Sequence, residues 1–215
     1  MIVSVARELG AGGRTVGEAL ASALDAPLLD ERSFIELLSA RSGLPRAVVA
    51  ERIERAPNSG ERLMADLAAA SAMLPIPAFQ YQDEEQLVDF VRDIVLDHAR
   101  RGHVVVVGHG GVSMLGWRPK GVPVLAILLR ASAAWRTTQL TRRYGIEASD
   151  AHARVQRADD LRTRYHKHYF DGDVNDCRQY DLVLNTESLG LDTAVDVARD
   201  VALRRARDVA FKGGA

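Results

Sequence analysis

Continuous apolar runs along the chain alternate with segments of helical period. Residues 104–107 and 122–129 are apolar throughout apart from one proline, so they predict inner strands buried on both faces. Residues 2–6 predict a further buried strand at the start, and residues 27–29 and 180–185 predict two more. This alternation is typical of an α/β protein with a mainly parallel sheet.

The segments between these runs have the spacing of amphipathic helices. In the helix predicted over residues 15–24, Val16, Leu20 and Leu24 share one face. Residues 44–82 are helix-prone but irregular and broken by prolines, and they predict a helical insertion. Further helices are predicted over residues 32–42, 83–101, 132–144, 149–170 and 192–207.

Composition and charge narrow the class of protein. The 215 residues carry 28 basic and 29 acidic side chains, so a net charge of −1 gives no long-range attraction to nucleic acid or anionic membranes. The length suits a single domain over 1–215. The one cysteine, Cys177, cannot form an internal disulfide, and the chain has neither a signal-peptide pattern nor an apolar run of about 20 residues. We therefore expect a cytoplasmic protein that binds small molecules.

The loop after the first predicted strand, RELGAGGRT at residues 7–15, is the most informative motif. Glycines let backbone amides turn toward an anion, and the helix that follows offers unpaired N–H groups and the positive end of its dipole. A tight turn in which glycine merely permits positive φ is the alternative. The pattern predicts a phosphate-binding loop made of Gly10, Ala11, Gly12, Gly13, Arg14 and Thr15.

This loop matches neither of two familiar phosphate-binding fingerprints in full. The pattern GxxxxGK[ST] requires glycine in place of Arg7, lysine in place of Gly13, and Ser or Thr in place of Arg14. The dinucleotide pattern GxGxxG fails because Thr15 occupies the place of its last glycine. A dinucleotide-binding oxidoreductase is therefore a remote alternative, with Asp30 as the nearest acidic contact for a ribose.

Arginines gather on the helix predicted over residues 149–170. At about 100° per residue, Arg162 falls inside the apolar stripe, where a charge needs a ligand or a buried ion pair. Arg157 lies on a flank of the helix, where a solvated surface is the alternative. The apolar stripe consists of Ala151, Val155, Ala158, Leu161, Tyr165 and Tyr169.

Five segments together resemble the cytidylate kinase-like P-loop proteins, relatives of bacterial cytidylate kinase among the nucleoside monophosphate kinases. They extend over nearly the whole chain. In that family a glycine–arginine pair commonly replaces the lysine of the phosphate loop, as Gly13 and Arg14 do here. The segments are SVARELGAGGRTVGEAL, LLDERSFIELL, VVVGHGG, RADDLRTRYHKHYF and YDLVLNTESLGLDTAV.

The resemblance implies a three-layer α/β/α P-loop NTPase-like fold. It places the 44–82 insertion on the acceptor-binding side and makes residues 145–172 a lid-like, arginine-bearing segment. It also implies transfer of the γ-phosphoryl group of ATP, with Mg²⁺, to a nucleoside monophosphate such as CMP or dCMP, or to another small acceptor. The implied catalytic residues are Arg14, Arg157 and Arg162, and Thr15 is the implied Mg²⁺ contact.

The acceptor-binding candidates follow two other predicted strands. Asp30 and Arg32 resemble the start of the family's monophosphate-binding segment, and Phe34 is a candidate contact for a base. Helix capping by Asp30 and core packing by Phe34 are the alternative. His109 follows the strand at 104–107, at the end where open α/β sheets bind ligands, although related enzymes often carry arginine there. A turn histidine with a structural role is the alternative for His109.

Two further expectations stay open at this stage. The missing lysine and the departure at His109 favour a non-catalytic nucleotide-binding regulatory module as the main alternative to a phosphotransferase. Apolar helical sequence within residues 63–74 also makes a homodimer possible.

Overall fold

The computed structural model describes residues 1–42, 45–46, 84–108, 111–114 and 119–212. The predicted insertion at 44–82 lies outside the described residues except for Pro45 and Arg46, and His109 lies outside them as well. The strands and helices given below lie within these described residues.

Five strands form a parallel sheet in the order β2-β3-β1-β4-β5, with β1 at its centre. Every pairing between neighbouring strands is parallel, and in the register of the central strand Ile2 lies opposite both Val104 and Val124. The predicted parallel α/β sheet is therefore confirmed. The strands are β1 (Ile2–Arg7), β2 (Leu28–Leu29), β3 (Val104–Val107), β4 (Val124–Arg130) and β5 (Leu182–Asn185).

Eight α-helices accompany these strands in the described residues. Six correspond to the helices predicted from periodicity and begin and end within a few residues of the predicted bounds. The other two, α4 and α7, have four residues each, which is too short for a period to be visible. The helices are α1 (Gly13–Ala23), α2 (Glu31–Ser42), α3 (Glu84–Arg101), α4 (Gly111–Met114), α5 (Ala133–Tyr144), α6 (Ala148–Phe170), α7 (Thr186–Leu189) and α8 (Leu191–Lys212).

The central strands are buried on both faces, because alternate residues of each strand enter different cores. Val3 and Val5 pack on the face covered by α1 and α8, whereas Ile2 packs on the face covered by α2 and α3. Val104 and Val105 divide between the two faces in the same way. The result is a three-layer α/β/α arrangement, as the resemblance implied.

Helices α5 and α6 form a small unit of their own. Leu140 of α5 packs with Ala151 and Val155 of α6. The Ser132 hydroxyl caps α5 by accepting a hydrogen bond from the Trp135 N–H at 3.2 Å, and Gly145 ends the helix at φ +63°. The segment predicted as lid-like, 145–172, thus consists mainly of α6 and packs against α5.

A search of the described helices finds none with a stretch long and apolar enough to cross a membrane.

Candidate active site

The glycine loop, defined as residues 8–13, leads from the end of β1 into α1. Gly10 and Gly12 have φ values of +88° and +84°, in the left-handed region that favours glycine. Gly12 is the N-cap of α1 and supplies no side-chain cap, so side chains do not satisfy the first N–H groups of this 11-residue helix. The loop therefore presents a helix N-terminus at the carboxyl end of the central strand, as phosphate binding requires.

Neighbouring groups leave no room for side chains on the loop glycines. A Cβ on Gly10 would lie 2.9 Å from the carbonyl oxygen of Arg136, and one on Gly12 would overlap the Leu191 side chain. Packing and positive φ account for these glycines by themselves. Phosphate binding by residues 10–15 stays a prediction that the shape of the loop permits.

Arg14 and Thr15 lie exposed in the first turn of α1. The Arg14 Nε donates to Glu18 Oε1 at 2.7 Å, one turn further along the helix. This hydrogen bond, together with the carboxylate charge, raises the pKa of Arg14. Arg14, the cation that the sequence predicts for the loop, is thus paired with Glu18 on the surface of α1.

A buried carboxylate at the start of the loop gathers three arginines. The Glu8 side chain is 7% exposed and accepts hydrogen bonds from the Ala131 N–H at 2.9 Å and from Arg130 Nε at 3.2 Å. The same carboxylate lies 3.6 Å from Arg136 Nε and 3.8 Å from Arg162 Nη2. These arginines come from β4, α5 and α6, so Glu8 joins the glycine loop to three elements. We call Glu8 and these three arginines the Glu8 cluster.

Arg136 is the most buried arginine of the Glu8 cluster. Its side chain is 4% exposed, and its guanidinium donates two hydrogen bonds to Asp159, at 3.2 and 2.7 Å. It also donates to the Ala131 carbonyl at 3.0 Å. Arg136 was not among the predicted site residues, although it stands four residues before buried Leu140 and thus on the inner face of α5.

Arg162 points inward from α6, which confirms its place in the apolar stripe. Its side chain is 14% exposed, and its Nη2 donates to Asn175 at 3.0 Å. Its Nε and Nη1 are buried and have no hydrogen-bond partner in the described structure. Burial lowers the pKa of Arg162, and the Glu8 and Asp159 charges oppose that shift. The buried ion pair is therefore present, but the Nε and Nη1 groups of Arg162 lack an acceptor in the described structure.

Arg157, the other arginine predicted for the lid, is exposed on the same helix. A role in contacting phosphate stays a prediction for this residue.

The acceptor-binding candidates make structural contacts. Asp30 caps α2, because its carboxylate accepts hydrogen bonds from the Ser33 N–H at 3.0 Å and the Ser33 hydroxyl at 3.1 Å. Phe34 is 3% exposed and belongs to the core on that face of the sheet. Arg32 is exposed and lies 3.9 Å from Glu36. These contacts agree with the capping and packing alternative, and contact with an acceptor stays a prediction.

A buried polar pair links α4 to α6 next to the Glu8 cluster. The Ser113 hydroxyl and the His166 Nδ1 are hydrogen-bonded at 2.9 Å. Burial, together with the nearby Arg162 charge, lowers the pKa of His166 to about 4, and the Asp173 carboxylate opposes this shift. His166 is therefore neutral at pH 7.

Comparison with solved structures shows the same fold. An uncharacterized protein from Eubacterium ventriosum superposes with a TM-score of 0.62 at 18% identity, over 94% of this chain and 98% of the other. A gluconokinase from Sinorhizobium meliloti superposes with a TM-score of 0.52 at 17% identity, over 98% of this chain and 95% of its own. Together with the parallel sheet, these matches show the three-layer α/β/α fold that the resemblance implied.

Comparison of sequences identifies the family. The cytidylate kinase from Pyrobaculum islandicum is 27% identical over 168 residues, which cover 76% of this chain and 89% of the relative. The cytidylate kinase from Pyrobaculum aerophilum is 25% identical over 201 residues, which cover 93% of this chain and 91% of the relative. The model of the cytidylate kinase-like family matches residues 2–188, and the chain therefore belongs to that family.

Proposed function

We propose that this protein transfers the γ-phosphoryl group of ATP to a nucleoside monophosphate, with CMP and dCMP as the first acceptors to test. The observation that carries the proposal is the glycine loop at the end of the central strand, with the Glu8 cluster beside it. Membership of the cytidylate kinase-like family supports a nucleotide kinase, and the relatives named cytidylate kinase favour a cytidine acceptor.

The reaction needs positioning and charge stabilisation more than covalent help from the protein. An oxygen of the acceptor phosphate forms a bond to the γ-phosphorus, and the bond from that phosphorus to the β,γ-bridging oxygen breaks. The products are ADP and a nucleoside diphosphate. The task for the protein is to hold both nucleotides in line and to balance the charge on the transferring group.

The residues present fit such a role. The loop amides and the N-terminus of α1 lie at the carboxyl end of the central strand, and this position supports phosphate binding by residues 10–15. Arg162 has two buried N–H groups without an acceptor, and a phosphate oxygen would satisfy them. Arg14 and Arg157 are exposed and are proposed to turn onto the phosphates when nucleotide is bound.

Mg²⁺, when bound, neutralises charge on the β- and γ-phosphates. The described residues contain no group of three or more His, Cys, Asp or Glu side chains able to hold a metal ion together. We propose that the Thr15 hydroxyl, exposed in the first turn of α1, contacts the ion and that nucleotide phosphates provide most of its ligands.

The test is a phosphoryl-transfer assay with MgATP and a panel of acceptors: CMP, dCMP, UMP, AMP, GMP and small alcohols. Products are separated by anion exchange, so that a nucleoside diphosphate is identified directly and ATP hydrolysis is counted separately. The proposal expects a cytidine diphosphate as the fastest-formed product. ATP binding with no transfer to any acceptor would contradict it.

A nucleotide-binding module without catalysis is the second candidate. The observation that favours it is the pairing of Arg14 with Glu18. Position 13 is a glycine instead of a lysine, and the arginine that follows it is already paired, so neither residue offers an unpaired cation to the γ-phosphate. Tight binding of ATP or ADP without turnover in the same assay would support this candidate.

A further inference from the structure

Arg7 and Gly13 occupy two positions of the loop at which the lysine fingerprint requires other residues. The pattern GxxxxGK[ST] begins with glycine and has lysine as its seventh residue. In this chain the first position is Arg7 and the seventh is Gly13. The loop therefore lacks a cation at the position where the fingerprint has one and carries a cation where the fingerprint has none.

The structure brings these two positions into contact. A Cβ on Gly13 would lie 2.6 Å from Cγ, 3.0 Å from Cβ and 3.2 Å from Cδ of Arg7. The stem of Arg7 therefore fills the space in which a side chain at position 13 would begin. A lysine at position 13 would therefore require the Arg7 stem to move from this position.

The guanidinium of Arg7 reaches the carboxyl end of the neighbouring strand. A Cβ on Gly108, the residue after β3, would lie 2.8 Å from Arg7 Nη1 and 2.9 Å from Cζ. Strands β1 and β3 are neighbours in the sheet, and Gly108 has φ +85°. Arg7 thus extends from the glycine loop toward the adjacent strand end, along the edge where open α/β sheets bind ligands.

The guanidinium of Arg7 has no close acceptor among the described residues. Within the described structure no hydrogen bond or ion pair joins its guanidinium to another residue. Burial lowers the pKa of Arg7, the Glu31 carboxylate opposes this shift, and the Arg162 charge adds to it. Since a guanidinium stays protonated inside proteins, Arg7 is a cation that can bind an anion.

We propose that Arg7 supplies the phosphate-binding cation that position 13 lacks, contacting the ATP phosphates from the opposite end of the loop. This proposal rests on the function proposed above and gives Arg7 the role that the sequence suggests for Arg14. The Arg14 side chain is 52% exposed and paired with Glu18, whereas Arg7 lies against the loop itself. A guanidinium at this place contacts two phosphate oxygens at once, where lysine offers a point charge.

The test compares four loop variants in the full-length protein, of which Arg14→Gln removes the cation that the sequence suggested. Arg7→Gln removes the charge and keeps most of the stem against Gly13, Arg7→Lys restores a charge, and the double variant Arg7→Gly/Gly13→Lys moves the cation to the fingerprint position. Calorimetry measures the affinity for MgATP and for adenosine, and the transfer assay measures kcat. Arg199→Gln is the matched control, because Arg199 pairs with Asp196 on the surface of α8.

Arg7→Gln is expected to weaken MgATP binding by about ten- to a hundredfold and to leave adenosine binding unchanged. Arg14→Gln is expected to cause a smaller loss, and Arg7→Lys and the double variant are expected to recover part of the affinity. Arg7→Gln with wild-type affinity would overturn the proposal. If Arg7→Gln fails to fold, the double variant provides the test. A double variant that folds and does not bind ATP would contradict the proposal that a cation at position 7 replaces one at position 13.

The results also separate this inference from the proposed function. Wild-type protein that binds ATP and transfers no phosphoryl group contradicts the phosphotransferase, while the binding series still tests Arg7. Wild-type protein that is active, with an Arg7→Gln variant equal to it, contradicts the role of Arg7 alone. Absence of ATP binding to the wild-type protein contradicts both.

Discussion

Glu8 in the glycine loop and Arg162 on α6 are held 3.8 Å apart, within a cluster in which the carboxylate also contacts Arg130 and Arg136. The glycine loop and α6 therefore share one buried charge. Removal of that charge leaves Asp159 as the carboxylate that pairs with Arg136 and Arg162 among the described residues, and leaves Arg130 without its counter-ion there.

Glu8→Gln is predicted to lower the free energy of unfolding by about 3 kcal/mol, because it leaves buried guanidinium groups without their counter-ion. Chemical denaturation at pH 7 measures the change. Glu18→Gln is the matched control: its side chain is 53% exposed, and a loss within about 0.5 kcal/mol is expected. Equal losses in the two variants would show that the Glu8 cluster is not a stabilising unit.

Substitutions of Arg162 and Arg157 are predicted to have different effects. Arg162→Gln removes a side chain that is 14% exposed and paired with Glu8, so it is expected to lower the melting temperature and to reduce kcat about a hundredfold. Arg157→Gln removes an exposed arginine, so it is expected to reduce kcat without changing the melting temperature. Thermal denaturation and the transfer assay together check both expectations. An unchanged kcat in Arg157→Gln would remove that residue from the catalytic set.

His166 is predicted to make stability depend on pH. Its pKa is about 4 in the folded protein, against 6.5 for an unperturbed histidine, so below about pH 6.5 the unfolded chain takes up a proton that the folded protein does not. The free energy of unfolding therefore falls as the pH drops from about 7 to about 4, by up to about 3 kcal/mol.

Denaturation curves across this pH range in the wild-type protein and His166→Gln measure the effect. The variant is expected to have a shallower slope between pH 7 and pH 4. His152→Gln, at an exposed position of the same helix, should keep the wild-type slope. Identical slopes in all three proteins would contradict the buried, neutral state of His166.

Gly13→Ala is predicted to cost about 1–2 kcal/mol, because the new Cβ would meet the Arg7 stem at 2.6 Å. The cost should largely disappear in an Arg7→Gly background, which gives a coupling energy above about 0.5 kcal/mol in a double-mutant cycle. Gly102→Ala is the control, since a Cβ there would meet nothing within 4 Å. Additive effects of Arg7→Gly and Gly13→Ala would contradict the contact.

Local patterns were sufficient to predict most of the fold. Val104–Val107 form a strand with the predicted bounds, because four consecutive β-branched residues followed by a glycine suit an inner strand. The inward direction of Arg162 was predictable because the period of a 23-residue helix fixes which positions face the core. Four-residue helices such as α4 carry no such period and were missed.

The candidate site was less predictable because its contacts join distant parts of the chain. Glu8 meets Arg130, Arg136 and Arg162 only after the strands and helices assemble, so no spacing in the sequence indicates the cluster. The stem of Arg7 lies against Gly13, and its guanidinium lies against Gly108, the residue after another strand. In the sequence, Arg7 is visible only as a mismatch to a fingerprint.

Calorimetric titration of the wild-type protein with MgATP, ADP, adenosine and NAD tests most directly whether the glycine loop binds phosphate. We predict that ATP and ADP bind and that NAD does not bind. Adenosine is expected to bind much more weakly than ATP, because it lacks the phosphates that the loop would hold. Equal binding of adenosine and ATP, or no binding of either, would contradict a phosphate site at the glycine loop.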